Sequence, residues 1–294
     1  MTTQTLSGEQ PCFRLSQWVT LRLQLLWAYE KSMGDVSTSG EGDSYGFQSA
    51  LLVKKGWGKA GVDRASALRA GPGQWLILGQ GRRWQSFSAD CVLLSIGFRF
   101  QYPTGEAVFE EGFPVLADGA EFPQLEREAL RAMRLVKKHV GLGFYQGERQ
   151  VSMRDYLLTQ NALRLFLIEL AGVFAARGIG VPDMNDLSPH VLRALEVIQN
   201  MPPAQPMKSA EVARLAGLSQ THLDRLLVVE TGHTIHQQIE LRRMQLAQDA
   251  LQDRAASLKS IAYGLGFCSP SHFHSWFRRR QGVTPQQFRQ RSSW

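Results

Sequence analysis

The chain has 294 residues, which is long for one hydrophobic core and comfortable for two domains. Hydrophobic residues make up 44% of the chain and charged residues 20%, so an ordinary soluble globular protein is expected rather than a disordered one. The net charge of +7 is concentrated at the C-terminal end: residues 187–294 hold 13 Lys or Arg against 7 Asp or Glu, whereas residues 1–186 hold 20 against 19. A basic region of this kind is typical of a module that meets a polyanion.

Cysteine usage and hydropathy indicate the cellular compartment in which the protein works. Cys12, Cys91 and Cys268 lie far apart with no C-x-x-C spacing, which predicts neither a disulfide framework nor a zinc site. The N-terminus lacks the pattern of a signal peptide, and no segment reaches the roughly 18 apolar residues of a membrane span. We therefore expect a cytoplasmic protein that carries no metal and no cofactor.

Residues 13–116 alternate apolar and polar side chains with the period of two that strands require. The clearest run places five apolar residues on one face: Val92, Leu94, Ile96, Phe98 and Phe100. Three glycine-bearing breaks separate the short runs, at residues 55–58, 71–73 and 79–81. This pattern predicts a small antiparallel barrel of the cupin-like or jelly-roll kind.

Helical periodicity takes over in residues 122–177. The first apolar stripe, expected to pack on the barrel, consists of Leu125, Ala129, Met133, Val136 and Val140. The second stripe is wider and fits either core packing or a self-complementary contact between two copies. It consists of Leu163, Phe166, Leu167, Leu170, Val173 and Phe174. We predict an effector-binding and dimerisation domain over residues 1–178, followed by a linker over 179–188.

An enzyme of the cupin type is the first function to test, because such barrels hold iron or manganese between histidines and a carboxylate. The first histidine of the chain is His139, which follows all of the predicted strands. No nucleophile elbow or phosphate loop occurs in this half either. The sequence therefore predicts no enzymatic activity.

Three tryptophans are the candidate ligand-binding residues of the barrel. Trp57, Trp75 and Trp84 lie in or beside strands, close in sequence to lysines and arginines. Aromatic walls with a few polar groups suit a sugar-sized or aromatic small molecule. Ordinary packing in the barrel core explains the same three residues.

The C-terminal region states one pattern twice. Val212-Ala213, Gly217-Leu218, His222-Leu223 and Gly232 return as Ile261-Ala262, Gly266-Phe267, His272-Phe273 and Gly282, offset by 49 residues and then by 50. Apolar residues, turn glycines and helix starts that return together indicate two copies of one supersecondary unit. Each copy has the layout of a DNA-reading helix-turn-helix.

Local signals give the helix ends of this region. Ser188-Pro189 starts a helix that runs to about Asn200, and Gly232 ends the second helix of the first unit. Four further serines are the predicted N-caps: Ser209, Ser219, Ser257 and Ser269. We predict an all-α domain over 189–294, with a first helix-turn-helix at 209–231, a linker helix at 234–252 and a second helix-turn-helix at 257–281.

The second helix of the first unit is the predicted base reader. Its outward residues are Gln220, Thr221, Asp224 and Arg225. Arg225 can form bidentate hydrogen bonds with guanine, Gln220 can form hydrogen bonds with adenine, and the Thr221 methyl group can contact the methyl group of thymine.

In the second unit, the outward residues Ser271, His272 and Ser275 suit weak or water-mediated readout. Three arginines at the end of that helix, Arg278, Arg279 and Arg280, are expected to bind phosphates. The 18-residue linker helix would span about 27 Å, which with the width of the units suits the ~34 Å repeat of the major groove.

These residues resemble the AraC/XylS family of bacterial transcription regulators. The matching residues include Leu218-Ser219, Arg243-Met244, Ala247, Ala250-Leu251, Ile261-Ala262-Tyr263, Gly266-Phe267, Phe273, Phe277-Arg278, Gly282, Pro285 and Phe288-Arg289. The resemblance implies a sequence-specific regulator, commonly an activator that meets RNA polymerase, with a cupin-type domain that binds a small molecule or dimerises. It also implies that Arg243 is a structural tie between the linker helix and the units.

The chain also departs from the family pattern. Leu227-Val228 stands where an aromatic residue and a lysine are usual, and Ser275 stands where an arginine is common. Both departures remove expected DNA contacts, so the first unit is expected to dominate operator reading.

The sequence thus predicts an α+β protein that regulates transcription. Its expected partners are double-stranded operator DNA, a small-molecule effector, RNA polymerase and a second copy of itself. The alternative is a non-catalytic architectural or partner-docking protein that binds DNA without sequence preference.

Overall fold

The computed structural model describes residues 21–33, 39–44, 47–109, 112–140, 150–180, 187–205, 207–253 and 256–291. Its strands are β1 Arg22–Ser32, β2 Ser39–Ser44, β3 Gln48–Lys55, β4 Gly58–Gly61, β5 Leu68–Ala70, β6 Gln74–Leu78, β7 Gly81–Phe87, β8 Val92–Gln101 and β9 Val115–Asp118. Its helices are α1 Pro123–Leu135, α2 Met153–Ala176, α3 Pro189–Gln199, α4 Ser209–Leu215, α5 Gln220–Thr231, α6 Ile235–Gln252, α7 Leu258–Gly264, α8 Pro270–Gln281 and α9 Pro285–Arg291. The predicted α+β class is confirmed.

The strands form two antiparallel sheets rather than one closed barrel. A five-stranded sheet has the order β1-β8-β3-β6-β9, and a four-stranded sheet has the order β2-β7-β4-β5. The predicted glycine breaks join neighbouring strands, since β3 ends at Lys55 and β4 begins at Gly58. Two sheets that pack face to face agree with the predicted cupin-like fold, although they do not close into one barrel.

Alternation along the strands produces two hydrophobic layers. In β8, Leu94, Ile96 and Phe98 face the helices, whereas Leu93 packs between the two sheets. The predicted apolar face of this strand is confirmed. The layer between the sheets also takes Phe87 from the four-stranded sheet.

Helices α1 and α2 cover the outer face of the five-stranded sheet. The second apolar stripe is buried there, with Leu163, Phe166 and Leu170 wholly inside. Core packing within one chain therefore accounts for it. The expectation that no segment is long and apolar enough to span a membrane was wrong for α2, half of whose most apolar 18-residue window is buried in this core.

The capping predictions for the C-terminal helices hold at four serines. Side chains of Ser188, Ser219, Ser257 and Ser269 each accept a hydrogen bond from the backbone N–H three residues later. Ser209 is the exception, because α4 begins at that residue and extended Lys208 precedes it without a side-chain cap.

Helix α6 is shared by both units. Ile235 and Ile239, at its N-terminal end, lie in the hydrophobic core of the first unit. Met244, Ala247 and Leu251, towards its C-terminal end, lie in the core of the second. Thr234 and Gln237 form a reciprocal capping box at its start. The predicted linker helix is confirmed, whereas the predicted domain limits stay predictions.

Glu240 joins α6 to the second unit. Its carboxylate accepts hydrogen bonds from Trp276 Nε1 at 2.9 Å and from Arg243 at 3.1 Å, and it lies 2.5 Å from the Arg280 guanidinium. Arg243 also lies over the rings of Phe267 and Trp276. Partial burial opposes ionisation, but the Trp276 hydrogen bond and the two arginine charges outweigh it and hold the pKa of Glu240 below its ordinary value.

Two turn glycines allow a matched test of the packing between the units. Gly266 and Gly282 both have positive φ, at 74° and 70°. A Cβ added at Gly266 would lie 2.6 Å from the carbonyl oxygen of Ala204, whereas one at Gly282 would meet nothing within 4 Å. We expect Gly282→Ala to cost about 1 kcal/mol in unfolding free energy, and Gly266→Ala about 2 to 4 kcal/mol because of the added clash. Equal urea midpoints for the two variants would contradict this packing.

Neutralising Glu240 should destabilise the protein in a pH-dependent way. Because its pKa is lowered in the folded state, its contribution is complete above the ordinary glutamate value of about 4.3 and is lost as the pH falls through the lowered pKa. We expect Glu240→Gln to reduce the unfolding free energy by about 1 to 2 kcal/mol at pH 7, and by progressively less in acid. Glu196→Gln, at an exposed glutamate of α3 without an ion pair to described residues, is the control. A loss that is constant from neutral to acid pH would argue against the ion pairs.

Candidate nucleic-acid interface

Helix α5 has one buried face and one solvent-exposed face. Leu223 and Leu227 are wholly buried, and Gly232 ends the helix in the left-handed conformation. The exposed residues form the opposite face: Gln220, Thr221, His222, Arg225, Val228 and Val229. Three of the four predicted base-reading residues of this helix therefore point to solvent.

Asp224 is placed differently from the other three. It is half-buried, and its carboxylate accepts a hydrogen bond of 2.8 Å from the backbone N–H of Ile235, the first residue of α6. This bond fixes the junction between α5 and α6. The geometry thus gives Asp224 a positioning role.

Helix α8 presents the corresponding face of the second unit. Phe273, Trp276 and Phe277 are buried beneath it. The predicted readers Ser271, His272 and Ser275 are exposed, as are Arg278 and Arg279. The His272 ring contacts the Sγ of Cys268, with Nδ1 at 3.3 Å.

Arg280 is separated from the other two predicted phosphate-binding arginines. Its guanidinium is paired with Glu240 and lies 5.2 Å from the ring centre of Trp276. Arg278 and Arg279 have no such partner among the described residues. The phosphate contacts predicted for the end of α8 therefore rest mainly on these two residues.

The N-terminal sheets contact the C-terminal helices through polar side chains. Arg99 of β8 pairs with Asp249 of α6, and each side chain is only 11% exposed. Gln199 of α3 accepts a hydrogen bond from Arg22 of β1 and donates one of 3.3 Å to the carbonyl oxygen of Pro103. The five-stranded sheet is thereby linked to the helix that joins the two units.

A cavity of about 590 Å³ lies at this contact. Its walls come from β1 and β8, from the π-helical turn Val136–Val140 that follows α1, from the start of α2, and from α6. Polar wall residues are Arg22, Gln24, Arg99, Gln101, Tyr156, Thr159, Gln160, Arg242, Gln245 and Asp249; apolar ones are Leu23, Leu25, Leu26, Val136, Val151 and Leu246. Three arginines thus face a single carboxylate.

The charge excess acts on Arg22. Burial and the neighbouring charges of Arg242 and Arg99 lower the pKa of Arg22 to about 10, against a smaller opposite effect of Asp249. The guanidinium stays protonated at pH 7 but is poorly compensated. An anion in the cavity would relieve this repulsion.

The three predicted ligand-binding tryptophans do not line one pocket. Trp75 is wholly buried against α2, with its ring 6.3 Å from Phe166, on the outer side of the five-stranded sheet. Trp84 alternates with buried Gln85 and so faces outward from the other sheet, where it carries Lys59 over its ring. Trp57 lies under Arg69. Sheet alternation places Trp75 and Trp84 on opposite outer faces.

Within the parts of the chain that the structure describes, no group of three or more His, Cys, Asp or Glu side chains is arranged to hold a metal ion. The functional features that sequence reasoning missed are the inter-part cavity, Glu240 and the exposed valines of α5. Only the valines left a sequence signal, because they extend the apolar run Leu226-Leu227 by two further residues, more than one buried helix face can accommodate.

Comparison with known proteins supports the helix-turn-helix reading of the C-terminal region. A family model described as a helix-turn-helix domain matches residues 212–291. HTH-type transcriptional regulator GlxA of Rhizobium meliloti is 38% identical over 100 residues, which are 33% of this chain and 31% of that protein. The xylose operon regulatory protein of Escherichia coli is 26% identical over 151 residues, 49% of this chain and 38% of that protein. The chain thus spans only about a third of the length of these relatives.

Among solved structures, unsaturated fatty acid bound ToxT from Vibrio cholerae aligns over 93% of this chain and 96% of that chain, with 14% identity and a TM-score of 0.47. Because this identity and this TM-score are low, the architecture described above rests on the strands and helices of the chain itself. The duplicated units and their shared helix agree with the family model that matches residues 212–291. Residues 212–291 therefore form a helix-turn-helix domain similar to those of the two transcription regulators.

Proposed function

We propose that this protein is a sequence-specific DNA-binding transcription regulator of the cytoplasm whose N-terminal part binds a small-molecule effector. The observation that carries the proposal is the pair of exposed helix faces, on α5 and α8, held by one shared helix. Their outward residues differ, so the two units can read different base sequences. The basic charge of this region supplies attraction to phosphates.

The competing function is DNA binding without sequence preference. Arg225 favours sequence-specific binding over this alternative, because an exposed arginine in the middle of the proposed reading helix can form a bidentate contact with guanine. A footprint with defined edges on one selected duplex would favour the regulator, and uniform protection would favour the architectural protein.

The effector proposal rests on the cavity between the two parts. A volume of about 590 Å³ lies in the range of small-molecule sites. Its surplus of guanidinium groups beside leucines and valines suits a small carboxylate with an apolar body. Because α6 supplies Arg242, Gln245 and Asp249 to the wall, a ligand there would bias how α6 packs on the sheets.

A homodimer and a contact with RNA polymerase complete the proposal. Support for the dimer comes from α2, where Met153, Leu157 and Ile168 are exposed on one face of the helix, away from the buried stripe. A self-complementary contact through this face is the simplest use of those residues. The contact with polymerase rests on the family resemblance alone.

Sequence reading can be tested with two arginine variants. On a duplex selected from a random library by the full chain, we expect Arg225→Ala to cost about 1 to 3 kcal/mol and to relax selectivity at one position. Arg278→Ala should instead weaken binding to selected and random duplexes alike and reduce the salt slope by about 1, as expected of a phosphate contact. Titrations at several salt concentrations measure both effects. If Arg225→Ala reduces affinity equally for both duplexes, base reading by Arg225 is wrong.

The effector site can be tested with carboxylates and uncharged matches. We expect octanoate or benzoate to raise the Tm of the full chain and octanol or benzyl alcohol to have a much smaller effect, because only the carboxylate pairs with the arginines. Saturation at about 100 times Kd would contribute about 2.7 kcal/mol. Arg22→Gln should abolish the difference, while Arg64→Gln, at an exposed position outside the cavity, should retain it. Equal shifts with acids and alcohols would refute an anion site.

A further inference from the structure

Two exposed valines stand on the outward face of α5. Val228 is 45% exposed and Val229 is 78% exposed. Adjacent apolar side chains that are this exposed often mark an interaction site. They lie at the C-terminal end of the helix that carries Arg225.

The valines share the face of the candidate base readers. Thr221, Arg225 and Val228 are spaced i, i+4 and i+7, which aligns them along one side of an α-helix. Leu223 and Leu227 occupy the opposite, buried side. Whatever α5 reads through Arg225 therefore also meets the valines.

The repeat shows what the same positions do in the second unit. With the offset of 50 residues that applies after the turn glycines, Val228 corresponds to Arg278 and Val229 to Arg279. All four side chains are exposed. Two positions that carry the predicted phosphate-binding arginines in α8 are thus apolar in α5, and a valine side chain cannot donate a hydrogen bond to a phosphate.

One base edge offers an apolar group in the major groove, namely the C5-methyl group of thymine. We infer that Val228 and Val229 recognise thymine methyl groups beside the base contacted by Arg225. This inference rests on the proposed function and adds a base preference to it. The first unit reads sequence through an arginine and two valines, and the second unit supplies phosphate affinity through Arg278 and Arg279.

The test uses deoxyuridine, which keeps the hydrogen bonds of thymine and lacks only the methyl group. In the selected duplex, each thymine is replaced in turn, and the affinity of the full chain is measured. We expect a loss of about fourfold at one or two adjacent positions, as the burial of one methyl group predicts. The double variant Val228→Ala with Val229→Ala should bind the thymine and uracil duplexes equally at those positions.

Two further variants separate lost contacts from lost structure. Val228→Thr keeps the size of the side chain and one methyl group, so it should retain part of the discrimination. Val62→Ala, at an exposed valine of the N-terminal part, should leave every affinity unchanged. Replacing both α5 valines with arginine should steepen the salt slope by about 2 and remove the methyl effect.

Several results would overturn the inference. Indifference of the wild-type chain to every thymine replacement would do so while leaving selective binding, and hence the proposed function, intact. An unchanged methyl effect in the double alanine variant would do the same. Valine variants that bind DNA normally but fail to activate transcription in a purified system would assign the patch to a protein partner. If the full chain selects no sequence at all, the proposed function fails and the inference with it.

Discussion

Helix α6 belongs to two hydrophobic cores at once, and the arrangement of both units depends on that shared membership. Its first two turns are buried with α3, α4 and α5, and its last turns are buried with α7, α8 and α9. A rotation or break of α6 would expose apolar surface in both units together. The relative orientation of α5 and α8 is therefore set by side-chain packing along one rigid helix.

Polar contacts at the two sides of α6 refine this packing. On one side, Glu240 gathers Trp276, Arg243 and Arg280 around a single carboxylate. On the other, Asp249 pairs with Arg99 from the five-stranded sheet. Breaking either carboxylate contact would leave arginine charges poorly compensated in partly buried positions, which is costly. Helix α6 is thus held both to α8 of the second unit and to the five-stranded sheet of the part that is proposed to bind a ligand.

Sequence reasoning succeeded where the determinants are local. Serine caps, turn glycines and the alternation of β8 are each decided within a few residues, and four of the five predicted serine caps are present. Ser209 failed by one position, because an extended Lys208 before it leaves Ser209 inside the helix. The duplication made the two units readable without any tertiary information.

Features decided by distant partners escaped the sequence. Arg280 is bound by Glu240, 40 residues away, and the cavity joins β1 to α6, more than 200 residues apart. The side of a sheet on which Trp75 or Trp84 lies depends on strand register and layer order, which composition does not encode. The exposed faces of α5 and α8 were predictable; which of their charged residues are already engaged was not.

Under the proposed function, the unlike faces of α5 and α8 also give the molecule a direction along DNA. An arginine with two valines leads on one helix, and serines with two arginines follow on the other, so the chain has no internal twofold symmetry despite its duplication. A binding site that matches it is asymmetric, with a head and a tail. Inverting such a site in a promoter would carry the N-terminal sheets to the other flank, so the polarity of the site decides which neighbouring proteins they can reach.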